Sequence, residues 1–116
     1  MSNPNARKGA GFEWAIVDYL REHGKAAEKL EPRGVNDEGD GYEVMENRFY
    51  TMWEAKNEKT ITLSGYIKEM ESERLQFMAN RGLAAWQVAG IVIVKRRMHG
   101  IGKAYVVQTV DSYFGI

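Results

Sequence analysis

The seven-residue run Val88–Val94, VAGIVIV, constrains the fold more than any other feature of this sequence. A strand with one face in water alternates apolar and polar side chains, whereas a strand covered on both faces is apolar throughout. The run has no polar side chain. It therefore predicts an inner strand of a sheet that carries a layer of structure on each face.

Two segments with helical periodicity can supply those layers. The first covers about residues 9–23 and stops at Gly24, and the second covers about residues 63–80, with Thr62 as a candidate N-cap and Gly82 after its end. Four further β-prone runs are predicted at residues 27–30, 42–45, 49–55 and 104–110. The order helix, three strands, helix, two strands predicts a layered α/β domain with a mixed central sheet flanked by helices.

The length of 116 residues leaves room for one small domain. Residues 1–8 are polar and are predicted to be a flexible lead-in to a single domain at 9–116, for which dimerisation is a natural way to bury more surface. The absence of cysteine excludes disulfides and thiolate metal sites. Without a signal sequence or a long apolar span, we expect a cytoplasmic protein with no membrane partner.

Charge is balanced over the chain but unevenly distributed along it. Sixteen basic and sixteen acidic residues cancel, so no global field attracts nucleic acid. Acids concentrate in residues 37–46, whereas the last loop has bases and no acid: Lys95, Arg96, Arg97 and Lys103. This separation suits a metal-dependent enzyme acting on a polyanion, although both segments are also compatible with ordinary solvated loops.

Glu54 and Lys56 stand two residues apart near the end of a predicted strand. Alternate side chains of a strand share a face, so the two lie about 7 Å apart on one side of the sheet. A carboxylate can hold a divalent metal while an ammonium orients water or stabilises phosphorane charge, which suits phosphodiester hydrolysis. A chain of this composition contains roughly one such pair by chance, so the interpretation depends on neighbouring residues.

Asp40 and Glu13 are the candidate neighbours. Asp40 lies where the preceding loop leads into the predicted strand at 42–45, and a hairpin turning at Asn47 would bring it close to Glu54. The alternative is that Asp40 belongs to an ordinary Asp/Gly turn. Glu13 lies on or beside the apolar stripe of the first helix, where it either meets a cation or simply favours the positive end of the helix dipole. Magnesium accepts a few carboxylate oxygens together with water and substrate phosphate.

The order of these features resembles the PD-(D/E)xK nuclease superfamily, which has the restriction-endonuclease-like fold. The resemblance covers about residues 8–110, and is greatest to Holliday junction resolvases of the archaeal type and their bacteriophage relatives. It is carried by a KGxxFE-like opening at residues 8–13, the loop GVNDEGD and the strand end WEAKN. Gly39 stands where the superfamily name has proline, and Ala55 replaces the frequent valine.

The resemblance implies a core in the order α-β-β-β-α-β-β and a catalytic set of Asp40, Glu54, Lys56 and Glu13. It implies Mg²⁺, for which Mn²⁺ is expected to substitute, held by Asp40, Glu54, Glu13 and the backbone carbonyl of Ala55. Lys56 would position the nucleophilic water. Asp37 and Glu38 are the competing acids for the role of Asp40.

It also implies a homodimer that resolves four-way DNA junctions by metal-assisted hydrolysis, in the host cytoplasm if a phage encodes it. The expected DNA-binding residues are Arg7, Lys8, Arg33, Lys59, Lys95, Arg96, Arg97 and Lys103. No phosphate-binding glycine loop is present, so no nucleotide cofactor is expected. The alternatives are a nuclease of this fold that cuts flaps, ends or duplex, and a DNA-binding module of this fold without catalysis.

Overall fold

The computed structural model describes residues 4–116, and of residues 4–8 only the backbone. The described chain contains three α-helices and five strands, joined by turns and short 3₁₀ segments. They are α1 (Pro4–Glu22), β1 (Ala27–Lys29), β2 (Gly41–Met45), β3 (Phe49–Lys56), α2 (Leu63–Arg81), β4 (Val88–Val94), β5 (Tyr105–Val107) and α3 (Val110–Phe114). The expected α/β class and the order of its core elements are confirmed.

The described strands form one mixed sheet in the order β1-β2-β3-β4-β5. A hairpin joins β2 to β3, and its register sets Gly41 opposite Trp53. Strands β3 and β4 are parallel because α2 carries the chain back across the sheet between them, and Glu54 lies opposite Val92. The strand β4 pairs on its other side with β5, so the VAGIVIV run is an inner strand as predicted.

The two faces of the sheet are covered by different helices. Met52 on β3 packs with Met70 and Phe77 of α2, whereas its neighbour Trp53 packs with Phe12 and Ile16 of α1. Burial of each of these side chains contributes about 1.5–3 kcal/mol. The strict alternation of β3 therefore places Glu54 and Lys56 on the α2 side of the sheet.

Several local predictions are corrected. The helix α1 begins at Pro4 and so takes in positions assigned to the lead-in, while residues 1–3 lie outside the described chain. Thr62 makes no side-chain hydrogen bond to the first turn of α2. The last strand is shorter than 104–110, because the Thr109 side chain accepts a hydrogen bond from Ser112 N and starts α3.

The two tryptophans next to the sheet lie in different environments. Trp53 is a core residue, whereas Trp86 is 70% exposed and contacts Phe49 edge-on at the surface. The Arg74 guanidinium donates to the carbonyls of Val88 and Ala85. No helix in the described part of the chain has the length and apolar character needed to cross a membrane.

Candidate active site

Asp40 is held against the end of β3 by its own backbone and by its side chain. Its amide donates to Trp53 O at 2.8 Å, and its carbonyl accepts from Leu30 N at 2.9 Å. Its carboxylate Oδ2 accepts from Ala55 N at 2.7 Å. The hairpin therefore brings Asp40 beside Glu54, which is the juxtaposition that the sequence suggested.

The glycines on either side of Asp40 allow this close approach. Gly39 has φ +98°, and a Cβ there would lie 2.8 Å from Trp53 O. A Cβ on Gly41 would lie 2.5 Å from the Trp53 ring. Proline would require φ near −65°, so it could not adopt the backbone conformation that position 39 has.

Glu54 lies almost fully out of water, with 6% of its surface exposed. Its Oε1 is 3.6 Å from Lys56 Nζ, and its Oε2 has no hydrogen-bond partner among the described residues. Burial raises the pKa of this carboxyl far above its ordinary value, and contact with Glu73 and Asp40 raises it further. Such a carboxyl gains strongly from a nearby cation.

Glu13 reaches the same place from the other face of the sheet. It is half-buried on α1, and its carboxyl contacts Asp40. Burial, followed by the hydrogen bond and charge of Asp40, raises the pKa of Glu13 to about 7. The structure thus gathers Glu13, Asp40 and Glu54 around the end of β3.

Lys56 is held among acids on the α2 side. Its Nζ lies 2.7 Å from Glu69, 3.6 Å from Glu54 and 4.0 Å from Glu58, and 5.2 Å from the centre of the Tyr66 ring. Burial alone would lower the pKa of Lys56, but the hydrogen bond to Glu69 and the surrounding carboxylates raise it overall. Lys56 is therefore a fixed positive charge at this site.

Two acids of the site, Glu69 and Glu73, were not anticipated. Both are on α2, and one carboxylate oxygen from each of Glu54, Glu69 and Glu73 lies within 4.8 Å of the others. Glu73 follows Met70 by three residues and precedes Phe77 by four, so it stands on the buried stripe of the helix. The reasoning that singled out Glu13, an acid on an apolar stripe, would also have found Glu73.

The competing acids of the loop have other contacts. Glu38 is 2% exposed and binds Asn80 and Arg81, which lower its pKa against the effect of burial. These contacts tie the Glu38 carboxylate to the end of α2. Asp37 accepts from the amide of Arg33, and its charge contributes to the raised pKa of Glu73.

The expected DNA-binding residues lie in different parts of the structure. Lys59 and Arg97 line a cleft of about 630 Å³ that is also bordered by Ala55 and Lys56. Arg96 lies over the Tyr105 ring at 5.6 Å.

The other expected bases are more scattered. Arg33 pairs with Glu38 at 3.8 Å. Lys95 follows β4, and its amide donates to Lys56 O at 2.9 Å, while Lys103 is exposed in a 3₁₀ turn. The side chains of Arg7 and Lys8 lie outside the described part of the chain.

The donor set fits a hard divalent cation. Carboxylate oxygens are the ligands that Mg²⁺ and Mn²⁺ prefer, and Glu54 and Glu73 each have a buried oxygen without a partner in the described chain. A buried carboxylate oxygen without a donor is costly, and a bound cation would remove that cost. Asp40, Glu54, Glu13 and the Ala55 carbonyl are the groups at the strand end that would hold it.

Comparison with known proteins supports the fold. No family model matches the chain, and no curated protein sequence matches it. Among solved structures, a Holliday junction resolvase from the archaeal hyperthermophile Archaeoglobus fulgidus is similar, with a TM-score of 0.51 over 91% of this chain and 87% of that one. The two sequences are 17% identical, so the similarity concerns the arrangement of helices and strands.

Proposed function

We propose that this chain is a magnesium-dependent, structure-specific endodeoxyribonuclease of the PD-(D/E)xK superfamily that resolves four-way DNA junctions. The observation that carries the proposal is the convergence of Asp40, Glu54 and Glu13 beside Lys56 at the end of β3. The similar fold of the A. fulgidus resolvase supports branched DNA as the substrate. Residues 9–116 would act as the single nuclease domain.

Each residue of the set has a distinct task in this proposal. Asp40, Glu54, Glu13 and the Ala55 carbonyl would hold Mg²⁺, which when bound supplies positive charge for the scissile phosphate. The Lys56 ammonium, kept protonated by its acidic neighbours, donates to a phosphate oxygen or to the attacking water. Glu13 would hold the ion from the side of α1, and a bound cation would lower its pKa from the value of about 7 that burial and Asp40 give it in the ion-free protein.

The cleft at the end of β3 is the proposed path of one DNA strand. Lys59 and Arg97 line this cleft and would contact phosphates of that strand. Such contacts give affinity without reading bases, as an enzyme that recognises DNA shape requires. The remaining basic residues would contact the junction arms: Arg7, Lys8, Arg33, Lys95, Arg96 and Lys103.

A four-way junction needs two cuts on opposing strands, so we propose that the protein acts as a homodimer with two such sites. Light scattering of the free protein should then give twice the mass of the 13.2 kDa chain. A monomer that also remains monomeric on junction DNA would contradict this part of the proposal.

The decisive assay offers labelled four-way junction, flap and linear duplex at equal concentration with Mg²⁺ or Mn²⁺. We expect paired symmetric cuts in the junction, and a loss of at least about 100-fold in rate for Asp40→Asn and Lys56→Ala. Lys25→Ala is the matched control, because Lys25 is exposed outside the site. Its rate should equal that of the wild type.

Three other results of this assay would contradict or change the proposal. Junction cleavage that persists in Asp40→Asn would refute the proposal. Equal cutting of flaps or linear duplex would leave a nuclease of this fold with another target. Junction binding without any metal-stimulated cleavage would make the chain a DNA-binding module.

A further inference from the structure

The loop at residues 95–103 lies at the same end of the sheet as the candidate active site. Strand β4 ends at Val94, which is paired with Lys56 at the end of β3, and the next amide, that of Lys95, donates to Lys56 O at 2.9 Å. Arg97 lines the cleft that Lys56 also borders. The tip of this loop therefore stands beside the proposed path of the DNA.

The loop is basic, and its charges are free to meet phosphate. It has no acid and four basic residues, which are Lys95, Arg96, Arg97 and Lys103. In the part of the chain whose side chains are described, none of the four forms an ion pair. Arg96 lies over the Tyr105 ring at 5.6 Å, which holds the loop against β5. Phosphate groups of bound DNA are thus suitable counterions for these residues.

Met98, at the apex of the loop, is the exception to its polar character. The amide of His99 donates to Arg96 O at 3.3 Å, which closes a turn with Met98 at its third position. There Met98 has φ +65°, a conformation for which turns of this kind normally use glycine. Its side chain is 98% exposed, so contacts within the described chain do not offset the strain.

Folding gives no reason for a methionine at this position. A single apolar side chain at a protein surface is ordinary, but glycine would adopt this backbone conformation without strain and leave no apolar group in water. Strained residues are concentrated at binding and catalytic sites. The position of Met98 among unpaired lysine and arginine side chains points to DNA as the group that it contacts.

An apolar side chain on a basic loop can act as a wedge between base pairs. Proteins that kink DNA insert side chains such as phenylalanine, leucine or methionine between neighbouring base pairs. In linear duplex this insertion first has to unstack a base step. At the branch point of a four-way junction the stack is already interrupted where strands exchange between arms, so the same insertion costs less there.

We infer that Met98 is an apolar wedge that inserts against the unstacked base pairs at the branch point, and that it makes binding selective for branched DNA. The inference deepens the proposed function and rests on it, because it takes the junction as the substrate. In this role Met98 touches base faces and not the scissile phosphate. Its loss should therefore raise KM for the junction and leave kcat near that of the wild type.

The test measures binding of the full chain to DNA without divalent ions, so that the DNA is not cut. The probes are a four-way junction carrying 2-aminopurine next to the branch point and a linear duplex of the same arm sequence. We expect the wild type to raise the 2-aminopurine fluorescence, since the emission of this base increases when it is unstacked. Met98→Ala should abolish the rise and weaken junction binding about tenfold, with duplex binding unchanged.

Two variants control for size and exposure. Met98→Leu keeps an apolar side chain of similar volume, so it should keep the fluorescence rise and the junction affinity. Val35→Ala removes an apolar side chain that is 99% exposed in the loop before Asp40, beside the cleft on the α2 side and not the cleft of Arg97. It should bind both DNAs as the wild type does.

Met98→Gly separates the wedge from the fold. The backbone conformation at φ +65° strains alanine but not glycine, so Met98→Gly should melt above Met98→Ala. Both variants lack the wedge and should lose junction affinity to the same extent. A Met98→Gly protein that binds the junction as tightly as the wild type would overturn the inference.

Other results bear on Met98 alone. Unchanged fluorescence and junction affinity in Met98→Ala would overturn the inference. Equal weakening on junction and linear duplex would also overturn it, because Met98 would then contact features common to both DNAs. A change in the mass of the free protein in light scattering would place Met98 in a contact between copies of the chain, and the inference would fail.

The remaining results separate the wedge from the proposed function. A wild type that cuts the junction, with Met98→Ala equal to it in KM and fluorescence, overturns the inference and leaves the nuclease. A wild type that neither binds nor cuts the junction overturns both. A wild type that unstacks the branch point through Met98 but does not cut with Mg²⁺ supports the wedge and counts against the nuclease.

Discussion

Gly39→Ala tests the contact on which the position of Asp40 depends. Gly39 has φ +98°, and an added Cβ would lie 2.8 Å from Trp53 O and 2.7 Å from Met52 Cε. Asp40 N donates to the same carbonyl oxygen, so the clash acts directly on the bond that fixes Asp40 to β3. The backbone carbonyl of Trp53 cannot move aside without disturbing the sheet.

Two costs add in this variant. A residue with a Cβ in this backbone conformation costs about 1–3 kcal/mol. Forcing an atom into a packed position costs about 1–3 kcal/mol more. The free energy of unfolding should therefore fall by about 2–6 kcal/mol, which lowers the melting temperature by roughly 8–24 °C at about 4 °C per kcal/mol for a domain of this size.

Gly24→Ala separates the two costs. Gly24 has φ +78° just after α1, but a Cβ there would meet nothing within 4 Å. We expect a loss of about 1 kcal/mol, from the backbone conformation alone. Both substitutions change the entropy of the unfolded chain equally, so the difference between them reports the close approach at Gly39.

The assay is thermal unfolding of both variants by far-ultraviolet circular dichroism without divalent ions, followed by junction cleavage with Mg²⁺. Gly39→Ala should melt well below Gly24→Ala, and it should also lose cleavage because Asp40 is displaced. Equal melting temperatures for the two variants would refute the reasoning, since the contact with Trp53 would then carry no cost.

Three further predictions concern the acids. Glu38→Gln should lower the free energy of unfolding by about 2–3 kcal/mol in urea titrations, because buried Glu38 accepts from Arg81, yet leave Mn²⁺ binding unchanged; weakened Mn²⁺ binding would contradict its structural role. The native pKa of Glu13 is raised, so between about pH 4.5 and about pH 7 the native state keeps a proton that the unfolded chain loses, and stability falls as pH rises. After allowance for partial exposure, the wild type should lose about 1 kcal/mol of unfolding free energy over this pH range relative to Glu13→Gln, in melts without divalent ions. A wild type that becomes more stable over the same range would contradict the raised pKa. Millimolar Mg²⁺ or Mn²⁺ should raise the melting temperature, by the equivalent of about 2.7 kcal/mol at one hundred times Kd, and less in Asp40→Asn; a wild type indifferent to either ion would argue against a preformed site.

The local sequence pattern was sufficient to predict most of the secondary structure. The bounds of β4 were predicted without error, and α2 extends only one residue beyond its predicted range. Gly82 ends that helix in the left-handed conformation expected of it. These features depend on neighbours within one turn or one strand, which a sequence pattern records directly.

The predictions that failed depended on weaker local signals or on distant packing. The short helix α3 begins with a capping bond at Thr109 inside a run that also alternates as a strand would. Leu63 fits the apolar periodicity of α2, but it is exposed, and Tyr66 lies in the core. The angle at which a helix docks on a sheet selects which of its neighbouring faces is buried, and no local pattern records that angle.

The sequence by itself determined the order of the core helices and strands and the faces of each strand, because side chains alternate along a strand whatever surrounds it. Glu54 and Lys56 share a face for this reason alone. Tertiary structure decided which acids join them. Asp40 reaches Ala55 because Gly39 lets two backbones approach, and Glu73 meets Glu54 because α2 crosses the sheet above β3. Contacts between residues distant in the chain depend on how helix and sheet pack, which only the folded molecule specifies.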